Sequence, residues 1–237
     1  MKALVFAAGY GTRLRPLTDT TPKPLIEVNG KTILQRMIEM LAAAGVDDFL
    51  INTHHLHEKI EDYLRKNGNF GHKIKLSYEE GHPLETGGTI KANESFFCEK
   101  VDEPFFACNA DILSGMDLSS MYAWHKKTGN TATLAVRKRP SSRHLMFDRK
   151  MRLVCREGKS PSEGLSPFGF SGIQLISPSI FSMIKEEGVF SIMDVYLRIA
   201  AETGRIAGFE DRSSYWFDIG SPEKLSAAQH YFKENCL

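Results

Sequence analysis

Apolar positions along the chain fall into two rhythms, and their alternation carries most of the structural information. Residues 3–8, Ala-Leu-Val-Phe-Ala-Ala, form a short apolar run without polar alternation. Such a run predicts a central parallel strand covered on both faces. A glycine-rich turn follows at 9–13. Over 32–44 the residues Ile33, Leu34, Met37, Ile38 and Leu41 return to one face at helical spacing, and Gly45 stops them. Next come a predicted strand near 48–53, a helix near 57–67 ending at Gly68, and a strand near 73–79. A helix near 88–97 and a buried strand over 104–109 complete the first half.

Strands and helices alternating at this spacing imply βαβ units, hence an α/β fold with a doubly wound, mostly parallel sheet. The second half is less regular. Strands are expected at 131–137, 152–156, 168–176 and 205–210, with helices near 178–187, 192–203 and 222–234. Residues 138–167, rich in Arg, Lys, Ser, Pro and Gly, read as exposed loop around one short strand. The chain is expected to form a single domain over 1–237. Its first half runs over 1–130, and its second, over 131–237, ends in a C-terminal helix.

Composition narrows the field. With 237 residues, 42% hydrophobic and 25% charged, the chain suits a soluble globular protein with a well-buried core. A net charge of +1 argues against a nucleic-acid binder, which needs a basic stripe. Any phosphate chemistry must then come from a few placed cations. Cys98, Cys108, Cys155 and Cys236 are scattered without a CxxC pair, which fits free thiols in a cytoplasmic protein. No stretch approaches a membrane span, so no membrane partner is expected.

Four segments carry candidate chemistry. The first is residues 4–24, LVFAAGYGTRLRPLTDTTPKP. A strand enters Gly9-x-Gly11, whose missing Cβ atoms let backbone N–H groups approach an anion closely. Arg13 and Lys23 add two cations, and Pro22 and Pro24 stiffen the Lys23 segment. The dinucleotide fingerprint fails here because position 14 is Leu14 rather than a third glycine. The phosphate-binding P-loop fails as well: Gly30-Lys31-Thr32 has the right ending, but Leu25 stands where its first glycine belongs.

The second segment runs from Glu79-Glu80-Gly81 through Pro83-Leu84-Glu85-Thr86-Gly87-Gly88. Gly87 and Gly88 would let a planar base lie against the backbone. Glu79 or Glu80 could accept from a base N–H, and Thr86 reads as a helix N-cap. The third is Asn109-Ala110-Asp111, just beyond a predicted strand, where open α/β sheets bind ligands. The fourth is Trp216-Phe217-Asp218-Ile219-Gly220-Ser221-Pro222-Glu223, with Ser221 and Pro222 capping and starting the last helix.

Three other clusters read more plainly. In His54-His55-Leu56-His57, adjacent side chains diverge, which disfavours zinc. Arg137-Lys138-Arg139 reads as solvated loop, and Phe96, Phe97, Phe105 and Phe106 as core.

Taken together, these strings resemble the nucleoside-diphosphate-sugar pyrophosphorylases, the sugar-1-phosphate nucleotidyltransferase family. The resemblance covers almost the whole chain and is most specific at 4–24, 83–90 and 215–223. It implies an enzyme that joins an NTP and a sugar 1-phosphate to give an NDP-sugar and pyrophosphate. Ala8, Gly9, Gly11, Thr12, Arg13, Lys23, Glu80, Gly87 and Gly88 would then bind nucleotide, with Arg13 and Lys23 catalytic. Asn109 and Gly172, the latter in a matching Phe170-Ser171-Gly172-Ile173, would meet the sugar phosphate. Asp111 and Asp218 would hold Mg²⁺.

Within the family, Pro83–Gly88 is similar to N-acetylmuramate-1-phosphate uridylyltransferases and to mannose-1-phosphate guanylyltransferases. A chain without a hexapeptide-repeat extension favours the uridylyl reading, hence UTP and cell-wall sugar recycling. Leu145-Met146-Phe147-Asp148 departs from the expected sugar-contacting stretch. A monomer or small homo-oligomer is expected. The alternatives are a mannose- or heptose-1-phosphate guanylyltransferase, a non-catalytic nucleotide-sugar sensor, and a cytidylyltransferase acting on a non-sugar phosphate.

Overall fold

The computed structural model describes residues 1–99, 103–158 and 163–235. Its chain gathers into two compact units that interleave along the sequence. One holds Met1–Pro83, Cys108–Gly115 and Ser213–Leu237, and the other holds Leu84–Ala107 and Met116–Arg212.

In the first unit the strands Lys2–Phe6, Asp48–Thr53 and Lys73–Tyr78 pair in parallel, with Asp48 opposite both Lys2 and Lys73. Leu4, Val5, Leu50 and Ile51 are buried, as continuous apolar strands in a covered sheet should be. The helix Ile33–Ala43 starts where the Thr32 hydroxyl accepts from Gln35 N–H at 3.0 Å. It buries Ile33, Leu34, Met37, Ile38 and Leu41, the stripe expected from spacing. Each fully buried aliphatic side chain contributes about 1.5–3 kcal/mol, so the stripe outweighs any propensity difference along the helix. The helix His57–Lys66 links the second and third strands, and the helix Pro222–Glu234 begins at the Ser221 cap with Pro222 in its first turn. The α/β reading and the capping role of Ser221 and Pro222 both hold.

In the second unit, Ala132–Arg137 runs parallel to Ile206–Glu210 and antiparallel to the long strand Ser166–Ile176. That strand also pairs antiparallel with Leu145–Phe147, which pairs with Leu153–Arg156. Phe96, Phe97, Phe105 and Phe106 are core, with Phe97 and Phe105 stacked at 4.0 Å.

Several expectations are corrected. The 138–167 segment holds two strands rather than one. Leu145, Met146 and Phe147 are all buried, because three successive apolar side chains can be covered on both faces of a sheet. Residues 178–187 form a 3₁₀ turn over Pro178–Met183 rather than an α-helix. The helix foreseen at 88–97 starts earlier and breaks at Asn93, giving Glu85–Ala92 and Glu94–Phe97. A helix over Leu118–Thr128 was not foreseen, although Asp117 caps it through Ser120 N–H and left-handed Gly129 ends it.

Of the basic run 137–139, expected as solvated loop, only Lys138 is exposed. Arg137 pairs with buried Asp211 at 3.1 Å, and Arg139 lies across Gly169 and donates to the Phe170 carbonyl at 2.8 Å. Cys108 is buried, Cys98 exposed and Cys155 intermediate, all as free thiols, while Cys236 lies outside the described residues. No helix among the described residues is long and apolar enough to cross a membrane.

Candidate active site

The first unit assembles a site from four separate stretches of chain. The strand Lys2–Phe6 runs into Ala7 and Ala8, both buried, and then into Gly9. Gly11 adopts φ +66°, and a Cβ there would stand 2.9 Å from Thr18 Cγ2 and 3.3 Å from Lys23 Cβ. Only glycine fits such a position. The Thr18 hydroxyl donates to Gly11 O at 2.9 Å, and Thr12–Leu14 then make one 3₁₀ turn. This turn projects Arg13 outward and sends Leu14 into the core. Around it lies a cavity of about 230 Å³ lined by Gly9, Gly11, Thr12, Arg13, Leu14, Lys23 and Gly220.

Lys23 sits between two buried prolines whose rings fix φ, so its Cα has little freedom. Its ammonium meets the Asp111 carboxylate, Nζ to Oδ2, at 2.5 Å. The other oxygen, Asp111 Oδ1, is buried and has no hydrogen-bond partner among the described residues. Buried polar atoms are rarely left so, which makes this oxygen the site's clearest open coordination position.

Asp218 comes from the fourth segment. The strand Trp216–Asp218 pairs antiparallel with Ile112–Ser114, and Ile219 N–H donates to the Asp111 carbonyl at 2.8 Å. The two aspartates, far apart in sequence, are thereby joined through adjacent backbone. A Cβ on Gly220 would lie 2.6 Å from Asp218 Oδ1 and 3.1 Å from a terminal guanidinium nitrogen of Arg13. Arg13 and Asp218 therefore converge on the same small volume.

Apolar anchors hold these groups in place. Leu14, Leu113 and Ile219, each within two residues of a candidate side chain, pack in one buried cluster with Ile26, Val28, Ile33, Ala228 and Phe232. Binding geometry here is set by core packing, which tolerates little adjustment.

Some neighbours escaped the sequence reading. Lys224, in the first turn of the last helix, reaches Asp218 Oδ2 at 2.5 Å. Glu79 is buried, and its Oε1 accepts from Asn52 Nδ2 at 2.9 Å, while Glu80 is exposed. Neither pairing has a local signal: Lys224 lies 6 positions beyond Asp218 and Glu79 27 beyond Asn52, and residues of such ordinary type do not announce a partner. Asn109 ends its strand, half-buried.

Gly87, Gly88 and Gly172 belong to the second unit. The N–H groups of Gly87 and Gly88 both point at the Phe190 carbonyl. A Cβ on Gly87 would meet the Phe190 ring at 2.3 Å, and one on Gly88 the Gly188 carbonyl at 2.4 Å. Close helix-to-loop packing thus requires both glycines. Thr86 does not cap its own helix as expected: its hydroxyl accepts from Ile192 N–H at 3.1 Å, satisfying the first donor of the helix Ile192–Thr203 instead. Gly172, at φ +79°, sits in the stretch where the strand Ser166–Ile176 shifts register.

Among the described residues no three His, Cys, Asp or Glu side chains gather as a metal site. His54, His55 and His57 are spent on ring contacts with Tyr10 and Tyr78.

Residues 2–147 match the nucleotidyl transferase family. The chain belongs to this family. It is 33% identical over 227 residues to a mannose-1-phosphate guanyltransferase of Yarrowia lipolytica, covering 94% of this chain and 61% of that protein. It is 34% identical over 228 residues to the Candida albicans protein of the same name, covering 94% and 62%. The chain thus spans about three fifths of these relatives' length. Among solved structures it superimposes on a UDP-glucose pyrophosphorylase from Acinetobacter baumanii with a TM-score of 0.81. That match has 17% identity and covers 98% of this chain and 92% of that one. At such identity the likeness is one of fold, the Rossmann-like α/β nucleotidyltransferase fold. The two curated relatives bear the name of mannose-1-phosphate guanyltransferases, one of the two groups that Pro83–Gly88 resembles, and not that of the N-acetylmuramate-1-phosphate uridylyltransferases.

Proposed function

We propose that this chain is a sugar-1-phosphate nucleotidyltransferase domain. The observation that carries this reading is a cavity lined by Gly9, Gly11, Arg13, Lys23 and Gly220, with Asp111 paired to Lys23 and Asp218 beside Gly220. An oxygen of the sugar phosphate attacks the α-phosphorus of the NTP in line, and pyrophosphate leaves. The nucleophile is already an anion, so no general base is required. The protein's task is to bring two polyanions together and to balance charge on the transition state.

Gly9 and Gly11 leave backbone open to the phosphates, and Thr12 and Arg13 close over them. Lys23, held by its prolines, presents a fixed positive charge between the two substrates. Asp111 and Asp218 fit a divalent ion such as Mg²⁺. Both are hard oxygen donors, Asp111 Oδ1 is unpartnered, and such an ion commonly takes one or two carboxylates and completes its shell with phosphates and water. When bound, Mg²⁺ would neutralise phosphate charge. Asn109 is assigned to the sugar phosphate, and Ala8 and Glu80 to the nucleotide; for Gly172, Gly87 and Gly88 such roles rest on the family resemblance alone. Both compact units serve one catalytic domain in this reading.

For the substrate pair we favour GTP with mannose 1-phosphate, which the names of the curated relatives support. Chain length does not discriminate, because the match covers only part of those relatives. The test is a pyrophosphate-release screen of GTP, UTP, dTTP, CTP and ATP against mannose, glucose, N-acetylglucosamine and N-acetylmuramate 1-phosphates, with phosphocholine as a non-sugar control. GTP with mannose 1-phosphate should be fastest. UTP with N-acetylmuramate 1-phosphate leading tenfold would replace the pair and keep the reaction. No release with any pair would overturn the reaction itself.

A further inference from the structure

The glycine turn carries one side chain, Tyr10, and both of its ends are tied to the same place. Ala7 N–H donates to Asn52 Oδ1 at 2.7 Å, and Asn52 Nδ2 donates to Glu79 Oε1 at 2.9 Å. The backbone of Glu79 continues the path, since its N–H donates to Thr53 O at 2.9 Å and its carbonyl lies 2.7 Å from His54 Nδ1. His54 Nε2 in turn lies 2.8 Å from the Tyr10 hydroxyl. The path leaves the turn at residue 7 and returns to it at residue 10.

Polarity around this ring is fixed by what each atom can do. A carbonyl only accepts, so Nδ1 of His54 must carry the proton facing Glu79. In the neutral imidazole Nε2 is then bare, and the Tyr10 hydroxyl donates to it. Asn52 is fixed in the same way: its oxygen faces Ala7 N–H and its amide nitrogen faces the carboxylate. Every member therefore has one orientation only. Asn52 is 3% and Glu79 4% exposed, so the inner half of the ring is shielded from water, whereas Tyr10 at 44% is exposed. An exposed tyrosine between two glycines would ordinarily be mobile. Here its hydroxyl is bonded, and its ring stands edge-on to His54 at 5.2 Å with His55 at 5.8 Å.

We propose that Tyr10 and His54 are positioning residues that brace the glycine turn from behind through Glu79 and Asn52, so that the turn meets the NTP phosphates already shaped. This rests on the proposed nucleotidyl transfer. Neither residue touches the reacting atoms. A braced loop loses less conformational freedom on binding, so the effect belongs to nucleotide affinity rather than to sugar phosphate affinity. One neutral hydrogen bond contributes about 1 kcal/mol, which corresponds to roughly fivefold in affinity.

The proposal has two tests on the full chain. The first needs no activity: the histidine ¹⁵N spectrum should show His54 protonated at Nδ1 and bare at Nε2, and Tyr10→Phe should shift the Nε2 resonance. A proton found on Nε2 alone overturns the ring. The second is calorimetric titration with GTP and with UTP beside steady-state kinetics. Tyr10→Phe, which keeps the ring and cannot disturb the core, should weaken nucleotide binding about fivefold while KM for the sugar phosphate moves less than twofold. His54→Ala should do the same, and His54→Gln, which can both donate and accept, should recover part of the loss. Unchanged nucleotide affinity in Tyr10→Phe and His54→Ala overturns the proposal. Wild-type protein that binds nucleotide without transferring it overturns the proposed function alone, and protein that binds neither nucleotide overturns both.

Discussion

At the scale of single residues, charge balance decides what the site can do. Asp111 and Asp218 each face a lysine, Lys23 and Lys224, so the two carboxylates already carry partners. Asp111→Asn and Asp218→Asn keep size and backbone while removing one negative charge each. Each should lower kcat by about 10²–10³ with little change in thermal midpoint. Near-normal turnover in either would remove that residue from the site. Lys224 differs from Lys23 because it is half-exposed, with its side chain 49% accessible. An exposed pair contributes at most about 1 kcal/mol, and Lys224 competes with a divalent ion for the same oxygen. Lys224→Gln should therefore tighten Mn²⁺ binding by up to about fivefold, read from the free-ion signal in electron paramagnetic resonance. Weaker Mn²⁺ binding would show that the lysine supports the site instead. The aspartates were legible in the sequence because strand ends and short motifs announce them. The Tyr10–His54–Glu79 path was not, because its members are distant in sequence, and Lys224 was not, because nothing in its residue type marks a lysine six positions beyond Asp218 as its partner.

At the scale of elements, backbone conformation separates glycines that look alike in sequence. Gly9 has nothing within 4 Å of where a Cβ would stand, whereas Gly11 combines φ +66° with Thr18 Cγ2 at 2.9 Å. Gly9→Ala should leave the denaturation midpoint within about 0.5 kcal/mol of wild type yet weaken nucleotide binding, since only an incoming phosphate needs that space. Gly11→Ala should cost at least about 1 kcal/mol of stability, because alanine is strained in the left-handed region and Thr18 must move. Equal midpoints for the two variants would contradict this division.

Elements themselves were legible wherever the pattern was long and capped. The helix Ile192–Thr203 lies between Ser191 and Gly204, and Pro222–Glu234 follows its serine cap. The three-residue strand Leu145–Phe147 was hidden by the charged loop around it. The helix Leu118–Thr128 leaves little trace in the pattern because its buried set, Leu118, Met121 and His125, is sparse and includes a histidine. Register and pairing partners depend on long-range contacts and leave little local trace.

At the scale of the whole molecule, that same histidine sets an expectation for acid stability. His125 is 1% exposed, and its ring lies between the Thr133 hydroxyl at 2.7 Å and the Ser177 hydroxyl at 2.9 Å. Burial, with help from neighbouring Lys126, lowers its pKa to about 4 from 6.5. The unfolded chain thus binds a proton at His125 more readily than the folded chain does. Stability from this group is complete above 6.5, declines as pH falls, and levels off below about 4. A shift of this size corresponds to about 3 kcal/mol, a sizeable part of a domain's stability.

His144 works in the opposite direction. Its two nitrogens face the Arg139 carbonyl and the Glu157 carboxylate, which raise its pKa, so it stabilises at low pH and its contribution fades as pH rises. It lies near the surface, so the buried histidine should prevail. Thermal unfolding followed by calorimetry between pH 7.5 and 4 should show a midpoint falling most steeply below about 6.5. His125→Gln retains a donor and an acceptor for the two hydroxyls but cannot titrate in this range. It should flatten the curve while costing some stability at pH 7.5. If the two curves run parallel over the whole range, His125 is not the group that couples folding to protons.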